Sequence, residues 1–593
     1  MLWKLKKLKK SYLMSNNNET KNCQNCKKDF VIEQDDFNFY EMMKVPAPTF
    51  CPECRLIRRL AWRNDRYLTK VNCQLCGKST FSTFEQDSGY TLYCPDCWTG
   101  DDWDRSKYGQ EYDFSKPFFE QMRELLKKVP LQARNVITST LKNSDYTNYV
   151  GNLKNCYLIY NSDYDENCMY GTDIEKSKDC VDNTMIDVCE QAYGNVNCQK
   201  CSKIFYSSDC IESSDVWFSC DLVGCMNCFG CVGLRNKNYY IFNQPLSREK
   251  YQEEIKNIFS GKHSEIDSIE EKVRKIYLTI PRRYMHGRQN VSVSGEYIYH
   301  SKEVKNSYSI TEARNCKYCM WLIAPTSKDC WDYIEYGDNA EQMYETATAG
   351  INVSKVKFSH IILKDSTDVE YSYFCSNVKN VFGCVSLKKK NFCILNKEYT
   401  KEQYEELLPK IKQHMNDMPY VDKKGRVYKY GEFFPFDLSP YPYNKTTAQE
   451  FFPIKEEDAD SLGYRWEDIS EKNYSPTIFS ENLPDTISEV SDSFVNEIIG
   501  CEEAQNKESK MWNCTKAFRV TQNELNFYKK HSIPLPRKCP NCRHHDRIQK
   551  RNLPTLWHRK CMNKGCNNEF ETPYAPDRPE IVYCESCYQK EIY

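Results

Sequence analysis

The stretch Cys51-Pro52-Glu53-Cys54-Arg55, which continues through Arg59 and Arg63 to Asn64, occurs twice in this chain of 593 residues. The second copy, displaced by 488 positions, keeps Cys539, Pro540, Cys542, Arg543, Arg547, Arg551 and Asn552. Two Cys-x2-Cys knuckles can together close a tetrahedral four-thiolate metal site, as in zinc ribbons. The sequence therefore predicts a metal knuckle followed by a basic helix at both ends of the chain.

Cysteine spacing predicts four zinc ribbons, two at each end. Their expected ligands are Cys23, Cys26, Cys51 and Cys54 (ribbon one), Cys73, Cys76, Cys94 and Cys97 (ribbon two), Cys501, Cys514, Cys539 and Cys542 (ribbon three), and Cys561, Cys566, Cys584 and Cys587 (ribbon four). In ribbon three the 488-residue displacement brings Met511 to the place of Cys23. Methionine is a poor zinc ligand, so Cys501 is assigned that place, with His531 or His544 as alternatives. Four structural zinc ions are expected, and closed sites of this kind contribute folding energy.

The arginines that follow the knuckles form a second pattern. Arg55, Arg59 and Arg63 are four residues apart, so on a helix they share one face. Rows of guanidinium groups suit phosphate oxygens, which predicts contact with RNA or DNA. The predicted nucleic-acid-binding residues are Arg55, Arg58, Arg59, Arg63, Arg66, Arg543, Arg547 and Arg551. Three alternatives stay open: a solvated helix face, ion pairs with an acidic segment, and packing on aromatic rings.

The middle of the chain reads as a repeat. Cys168, Cys189, Cys210 and Cys231 are 21 residues apart among short, turn-rich segments, which is typical of stacked β-solenoid rungs. The unit is itself duplicated. Phe229-Gly230-Cys231-Val232 returns as Phe382-Gly383-Cys384-Val385, and Ser177-Lys178-Asp179-Cys180 returns as Ser327-Lys328-Asp329-Cys330. The predicted class is mainly β with short helices: tandem zinc ribbons flank two duplicated β-solenoid lobes.

Lobe one also contains a triplet of cysteines with the spacing that begins some iron–sulfur ligand runs, Cys225, Cys228 and Cys231. Two of their counterparts in lobe two are Val378 and Val381. Positions that exchange Cys for Val behave as packed interior, so core packing is the favoured interpretation. A metal or redox site unique to lobe one stays open.

Seven regions follow from these patterns. They are a disordered or mis-called N-terminus (1–20, with Met14 as an alternative start), ribbons one and two (21–100), a connecting helix (101–135), lobe one with closing helices (136–285), lobe two with its closing helix (286–418), an acidic aromatic and Pro-rich arm (419–500), and ribbons three and four (501–593). Residues 432–510 carry six Lys and Arg against eighteen Asp and Glu. The many aromatic residues of the arm are unusual for a disordered linker, so it is expected to wrap another part of the molecule. Its acidic charge is compatible with folding back on the basic ends, and an acidic partner bound there is the alternative.

Composition restricts the function classes. About half of the 33 cysteines fall into metal-ligand spacings, and no apolar segment is long enough for a membrane span, which favours a reducing cytoplasm and no membrane partner. No phosphate-binding glycine loop, HExxH or GxSxG motif is present, so neither a catalytic residue nor a small-molecule substrate is evident. The leading prediction is a non-enzymatic zinc-binding scaffold that associates with nucleic acid. The alternatives are a protein-assembly scaffold and a redox or transferase enzyme built on lobe-one cysteines.

The CPxCR knuckles, the repeated FGCV segment, YGEFFP at 430–435 and YAPDRPEIVYCESC at 574–587 carry a resemblance over nearly the whole chain. It resembles the zinc-ribbon, Cys-rich repeat proteins of small-genome candidate-phyla bacteria, a family without a known function. The resemblance implies cytosolic zinc binding. Some such proteins carry the name of CaiB/BaiF CoA-transferases, and no residues here support that chemistry.

Overall fold

A computed structural model describes residues 18–467 and 475–592, and most of the segment 1–20, for which disorder or a mis-called start was predicted, lies outside them. Ribbons one and two each begin with an antiparallel hairpin that carries the first knuckle, and each second knuckle begins a helix. The elements are β1 (Glu19–Asn22), β2 (Asp29–Ile32), α1 (Gln34–Met43), α2 (Pro52–Leu60), β3 (Thr69–Asn72), β4 (Ser79–Ser82), β5 (Leu92–Tyr93), α3 (Pro95–Thr99), α4 (Phe118–Lys128) and β6 (Leu131–Gln132).

Residues 136–285 contain the first of two large, mostly parallel sheets. Its strands are β7 (Thr147–Gly151), β8 (Tyr157–Asp163), β9 (Met169–Glu175), β10 (Lys178–Val181), β11 (Thr184–Asp187), β12 (Glu190–Tyr193), β13 (Val196–Gln199), β14 (Ser202–Phe205), β15 (Ser214–Trp217), β16 (Met226–Phe229), β17 (Asn238–Ile241) and β18 (Gln244–Pro245). The closing helices are α5 (Arg248–Ile258) and α6 (His263–Tyr277).

Residues 286–418 repeat this arrangement after the short strand β19 (Arg282–Arg283). The strands are β20 (Gly287–Arg288), β21 (Gly295–Tyr299), β22 (Lys302–Lys305), β23 (Ser307–Thr311), β24 (Arg314–Lys317), β25 (Met320–Leu322), β26 (Lys328–Tyr336), β27 (Ala340–Gly350), β28 (Val353–Lys357), β29 (His360–Leu363), β30 (Ser366–Glu370), β31 (Tyr373–Ser376), β32 (Lys379–Phe382), β33 (Asn391–Ile394) and β34 (Lys397–Glu398). Helix α7 (Lys401–Asp417) follows, opened by the predicted capping box of Thr400 and Gln403.

The strands of lobe one pair in parallel with partners twelve residues away, as Cys180 does with Ala192. From Asn152 to Gln191 every third residue has a left-handed backbone, with φ between 49° and 63°. The residue after each of these is buried, so one twelve-residue repeat presents four inward positions three residues apart. The 21-residue cysteine spacing is therefore not the length of the repeat. Twenty-one residues are seven of these three-residue steps. Cysteines 21 residues apart therefore all point inward but occupy different positions within the twelve-residue repeat.

The segments that follow α7 pack back against the earlier parts of the chain. The arm and ribbons three and four contain β35 (Tyr420–Val421), β36 (Val427–Tyr428), α8 (Thr447–Phe451), α9 (Glu456–Leu462), β37 (Ile478–Phe479), β38 (Ile499–Gly500), β39 (Ala517–Phe518), α10 (Gln522–His531), α11 (Pro540–Gln549), β40 (Trp557–Lys560), β41 (Glu569–Thr572), β42 (Val582–Tyr583) and α12 (Glu585–Ile592). Phe433 and Phe434 of the arm are fully buried, and the ring of Phe434 stacks on Trp62 at 4.6 Å, directly after α2. The arm thus covers the helix of ribbon one.

Candidate metal centres and arginine docks

The structure brings sixteen cysteines together as four groups of four. In each group all sulfur atoms lie within 4.8 Å of one another. The groups are Cys23, Cys26, Cys51 and Cys54; Cys73, Cys76, Cys94 and Cys97; Cys501, Cys514, Cys539 and Cys542; and Cys561, Cys566, Cys584 and Cys587. These are the sets expected from spacing, and each is arranged to hold a metal ion.

The sulfur–sulfur distances provide a test of fit. A tetrahedral Zn²⁺ site with Zn–S bonds of about 2.3 Å has sulfur atoms about 3.8 Å apart. The Sγ atoms of Cys26 and Cys51 are 3.7 Å apart, and those of Cys501 and Cys542 are 3.8 Å apart. In ribbons two and four the corresponding distances, Cys76 to Cys94 and Cys566 to Cys584, are both 3.9 Å. The groups therefore have the dimensions of a four-thiolate zinc site.

One backbone hydrogen bond recurs in all four groups. In ribbon one the Cys51 amide donates to Cys23 Sγ at 3.2 Å, and in ribbon three the Cys539 amide donates to Cys501 Sγ at 3.2 Å. The same bond joins Cys94 to Cys73 at 3.2 Å and Cys584 to Cys561 at 3.3 Å. Cys501 thus takes the structural place of Cys23. The alternatives lie elsewhere: the His531 ring packs on Phe205 and Phe527, and His544 faces Glu450.

The surroundings of several sulfur atoms favour the thiolate, which is the form that binds metal. Hydrogen bonds from Cys51 and Cys54 lower the pKa of Cys23 well below its usual range and raise the pKa of both donors, so they favour one thiolate in this group. Burial raises the pKa of Cys73, but backbone amides of Cys76, Cys94 and Leu75 outweigh it and lower that pKa to about 7.

The predicted arginine face of ribbon one lies against lobe two, and we call this contact the N-terminal dock. Arg55, Arg59 and Arg63 on or just after α2 are at most 1% exposed. One carboxylate, that of Asp332, binds two of them: its Oδ2 is 2.9 Å from Arg55 Nη2 and its Oδ1 is 3.0 Å from Arg59 Nη2. Both arginines therefore share a single buried acceptor in the lobe.

Ribbon three repeats this contact on lobe one, and we call it the C-terminal dock. The carboxylate of Asp182 again binds two arginines, with Oδ2 2.5 Å from Arg543 Nη1 and Oδ1 2.9 Å from Arg547 Nη1. Arg543 also lies 3.3 Å from Glu524 of α10. The two ends of the chain thus cross over, because the first ribbon docks on the second lobe and the third ribbon on the first lobe.

The two shared carboxylates occupy the same place in the duplicated lobe. Asp182 follows Cys180 by two residues, and Asp332 follows Cys330 by two residues. The Ser-Lys-Asp-Cys repeat identified from sequence stops two residues short of them. A comparison of the two lobes extended beyond the cysteine would have found both aspartates, although nothing in the sequence indicates that arginines contact them.

Further carboxylates complete the N-terminal dock. Glu345 lies 2.8 Å from Arg58 Nη2 and 3.2 Å from Arg59 Nη1, and Glu432 of the arm lies 3.0 Å from Arg58 Nη1. Arg63 pairs with Asp65 at 3.0 Å and also with Glu335 of lobe two. The acidic arm therefore supplies one partner, and lobe two supplies most of the others.

The outer arginines of the C-terminal dock are arranged differently. Arg551 is 4% exposed and rests 5.5 Å from the ring centres of Tyr308 and Phe451, and none of its three guanidinium nitrogens has a hydrogen-bond partner among the described residues. Arg66, the last of the predicted set, has a side chain only 9% exposed and lies 3.9 Å from Glu450. Seven of the eight predicted arginines are therefore buried and Arg66 is partly buried, and all eight lie against carboxylates or aromatic rings of the same chain.

The lobe-one cysteines lie inside the repeats. Cys225, Cys228 and Cys231 are fully buried, and their thiols donate to backbone carbonyls at 3.3–3.5 Å. In the described ranges 18–467 and 475–592, the groups that can hold a metal are the four ribbon sets, and these three cysteines belong to none of them. Narrow parallel repeats leave room for small side chains, which explains why cysteine recurs there.

Comparison with protein-family models and with curated protein sequences found no match to this chain. None of the helices within the described residues has both the length and the apolar character needed to cross a bilayer.

Proposed function

We propose that the protein is a non-enzymatic zinc-binding scaffold, in which two β-solenoid lobes are held together by zinc ribbons docked through arginine. Each solenoid turn corresponds to one repeat of about twelve residues, in line with the parallel pairing of Cys180 with Ala192. The observation that carries the proposal is the duplicated dock, in which one lobe aspartate binds two arginines that begin one residue after a metal knuckle.

The metal and the dock depend on each other in this proposal. Cys54 and Cys542 immediately precede Arg55 and Arg543, so the ion that binds the cysteine also fixes the first turn of the arginine helix. Isolated ribbons of this size have little core of their own, and metal binding supplies their folding energy. The zinc ions thus position the arginines, and the arginines attach the ribbons to the lobes.

The same arginines were the expected nucleic-acid contacts, and their burial favours an internal role over phosphate binding. Fluorescence anisotropy with single-stranded RNA and duplex DNA at low salt tests the two roles. The scaffold proposal expects no binding that depends on Arg58 or Arg66. Binding that falls steeply with salt and is lost in R66Q would support the nucleic-acid role instead.

Metal analysis of the purified full-length chain tests the scaffold proposal directly. We expect four zinc ions per chain, one for each cysteine group, no iron and a colourless protein. C76S, at an exposed ligand of ribbon two, should lower the zinc content by one ion. C180S, inside lobe one, is the matched control and should leave it unchanged. Zinc content that is unaffected by C76S, or stoichiometric iron, would contradict the proposal.

A further inference from the structure

A cavity of about 180 Å³ lies where lobe one, the segment after α6, lobe two and ribbon four meet. Lobe one contributes Asp209, Cys220 and Asp221, the segment after α6 contributes Arg282, strand β20 of lobe two contributes Arg288, and ribbon four contributes Tyr588. Its volume is below the roughly 300–1,000 Å³ of typical ligand pockets, so only a small molecule fits. Neither the metal centres nor the docks use this cavity.

Two arginines in its wall have unused hydrogen-bond donors. Arg282 is 3% exposed; its Nη1 lies 3.5 Å from Asp221 Oδ2, its Nε donates to the Ile280 carbonyl, and its Nη2 has no partner. The buried Nε of Arg288 also has no partner, and within residues 18–467 and 475–592 no carboxylate forms an ion pair with Arg288. Buried donors without acceptors are costly, and such groups are commonly satisfied by a bound ion or water.

The other charges of the wall are already paired. Arg283 lies 2.5 Å from Glu585, and Arg235 lies 2.6 Å from Asp221. His286 is placed between the two lobes, with Nδ1 2.5 Å from Glu296 Oε1 and Nε2 3.7 Å from Asp209 Oδ1. Burial lowers the pKa of His286, but the carboxylates of Glu296 and Asp209 outweigh it and raise that pKa to about 9, so the ring is cationic at neutral pH. The donors left without a partner are therefore Nη2 of Arg282, whose guanidinium also lies 4.4 Å from the ring centre of Tyr277, and Nε of Arg288.

We propose that this cavity binds a small molecule carrying a phosphate or carboxylate group, with Arg282 and Arg288 as the residues that hold the oxyanion. A guanidinium fork presents two donors in the geometry that matches two oxygens of either group. The free Nη2 of Arg282 and the free Nε of Arg288 are the donors that the wall offers to such an anion. The ligand would bind where both lobes and ribbon four meet.

Isothermal titration calorimetry on the zinc-loaded, full-length chain tests this site, with inorganic phosphate and succinate as separate probes. We expect at least one of them to bind, and R282Q and R288Q each to weaken its affinity by at least about tenfold, the effect of losing a charge-assisted hydrogen bond. R314Q, at an exposed arginine of β24 outside the cavity, is the matched control and should bind as the wild type does. Binding of phosphate alone or of succinate alone supports the site and identifies which oxyanion it prefers.

Two results would overturn the proposal: no heat of binding from either probe, or wild-type affinity in both R282Q and R288Q. Arg282 is buried, so R282Q can fail to fold. In that case R288Q, at a half-buried position, decides the question, with the melting temperature of each variant measured beforehand. The site is independent of the proposed scaffold role, because zinc content and oxyanion binding are measured separately.

Discussion

The N-terminal and C-terminal docks share one contact and differ in what surrounds it. In both, a lobe aspartate binds two arginines one helical turn apart. In the N-terminal dock Arg58 then adds a pair with Glu345. The corresponding helix position in the C-terminal dock is Asp546, 488 residues later. In the strand register Cys330 pairs with Met343, and Cys180 pairs with Ala192. Glu345 and Gly194, two residues further along, therefore occupy equivalent positions in the two lobes.

Both members of the Arg58–Glu345 pair are thus present in one dock and absent from the other. The reason is energetic: a buried charge that keeps its partner is tolerated, whereas one left alone costs several kcal/mol. The shared aspartate contact is therefore the essential part of the dock. The second pair is an addition to the N-terminal dock, where Glu345 also contacts Arg59 and Arg58 also contacts Glu432.

Removal of zinc should have the largest effect, because it removes both docks together. Each structural site contributes on the order of 10–16 kcal/mol in small zinc domains, so a strong chelator should unfold the ribbons and expose the arginine helices. Circular dichroism and limited proteolysis would show this, with zinc-saturated chelator as the control. An unchanged melting curve after metal analysis shows complete zinc loss would contradict it.

Substitution of the shared aspartate should destabilise the two docks to different extents. D182N leaves Arg547 without a carboxylate, whereas after D332N Glu345 still lies 3.2 Å from Arg59 and 3.9 Å from Arg55. Breaking a buried pair costs roughly 3–5 kcal/mol, so D182N should fall at the upper end of this range and D332N at the lower end. Urea denaturation of the two variants measures the difference. A D332N variant that is less stable than D182N would reverse our ranking of the docks.

The last arginine of each helix offers a milder comparison. R63M leaves the buried carboxylates of Asp65 and Glu335 without their arginine partner. It should lower the free energy of unfolding by about 3 kcal/mol. R551M removes a guanidinium that has no hydrogen-bond partner among the described residues but whose charge partly offsets the burial of the Asp173 carboxylate, so it should cost about 1–2 kcal/mol, less than R63M. Thermal denaturation of R63M and R551M under the same conditions compares their losses of stability. Equal losses would show that Arg551 has a partner of similar strength.

The last prediction concerns the pH dependence of the contact between the two lobes. The pKa of His286 is raised to about 9 in the folded protein by Glu296 of lobe two and Asp209 of lobe one, from an ordinary value of 6.5. Its contribution is therefore fully present below pH 6.5 and lost as the pH rises through 9. The side chain is 26% exposed, so we expect a loss on the order of 1–2 kcal/mol rather than the full value of the shift.

Denaturation of wild type and H286Q between pH 6 and 9.5 would detect this effect as a difference between the two profiles. Titration of the ribbon cysteines affects both proteins alike and cancels in that difference. Parallel profiles for the two proteins would contradict the role of His286 between the lobes.

The metal ligands could be predicted from the sequence because the cysteines of one site lie close together along the chain. Two cysteines separated by two residues form one half of a site, and the second half follows within tens of residues in the same ribbon. It also found the duplicated lobes, because copied segments keep their order. It missed the length of the repeat, because the 21-residue cysteine spacing does not match the twelve-residue pairing register. Only the parallel pairing, such as Lys178 with Glu190, distinguishes the two.

By itself, the sequence determined which cysteines group together, that arginines share one face of α2 and of α11, and that both ends and both lobes are duplicated. Covalent spacing is enough for each of these. Only the tertiary structure decided where the arginine faces point. Asp332 lies 277 residues from Arg55, and Asp182 lies 361 residues before Arg543, and spacing carries no information over such distances. A row of arginines can bind phosphate or carboxylate groups equally well, and it is the fold that places an aspartate beside each arginine helix.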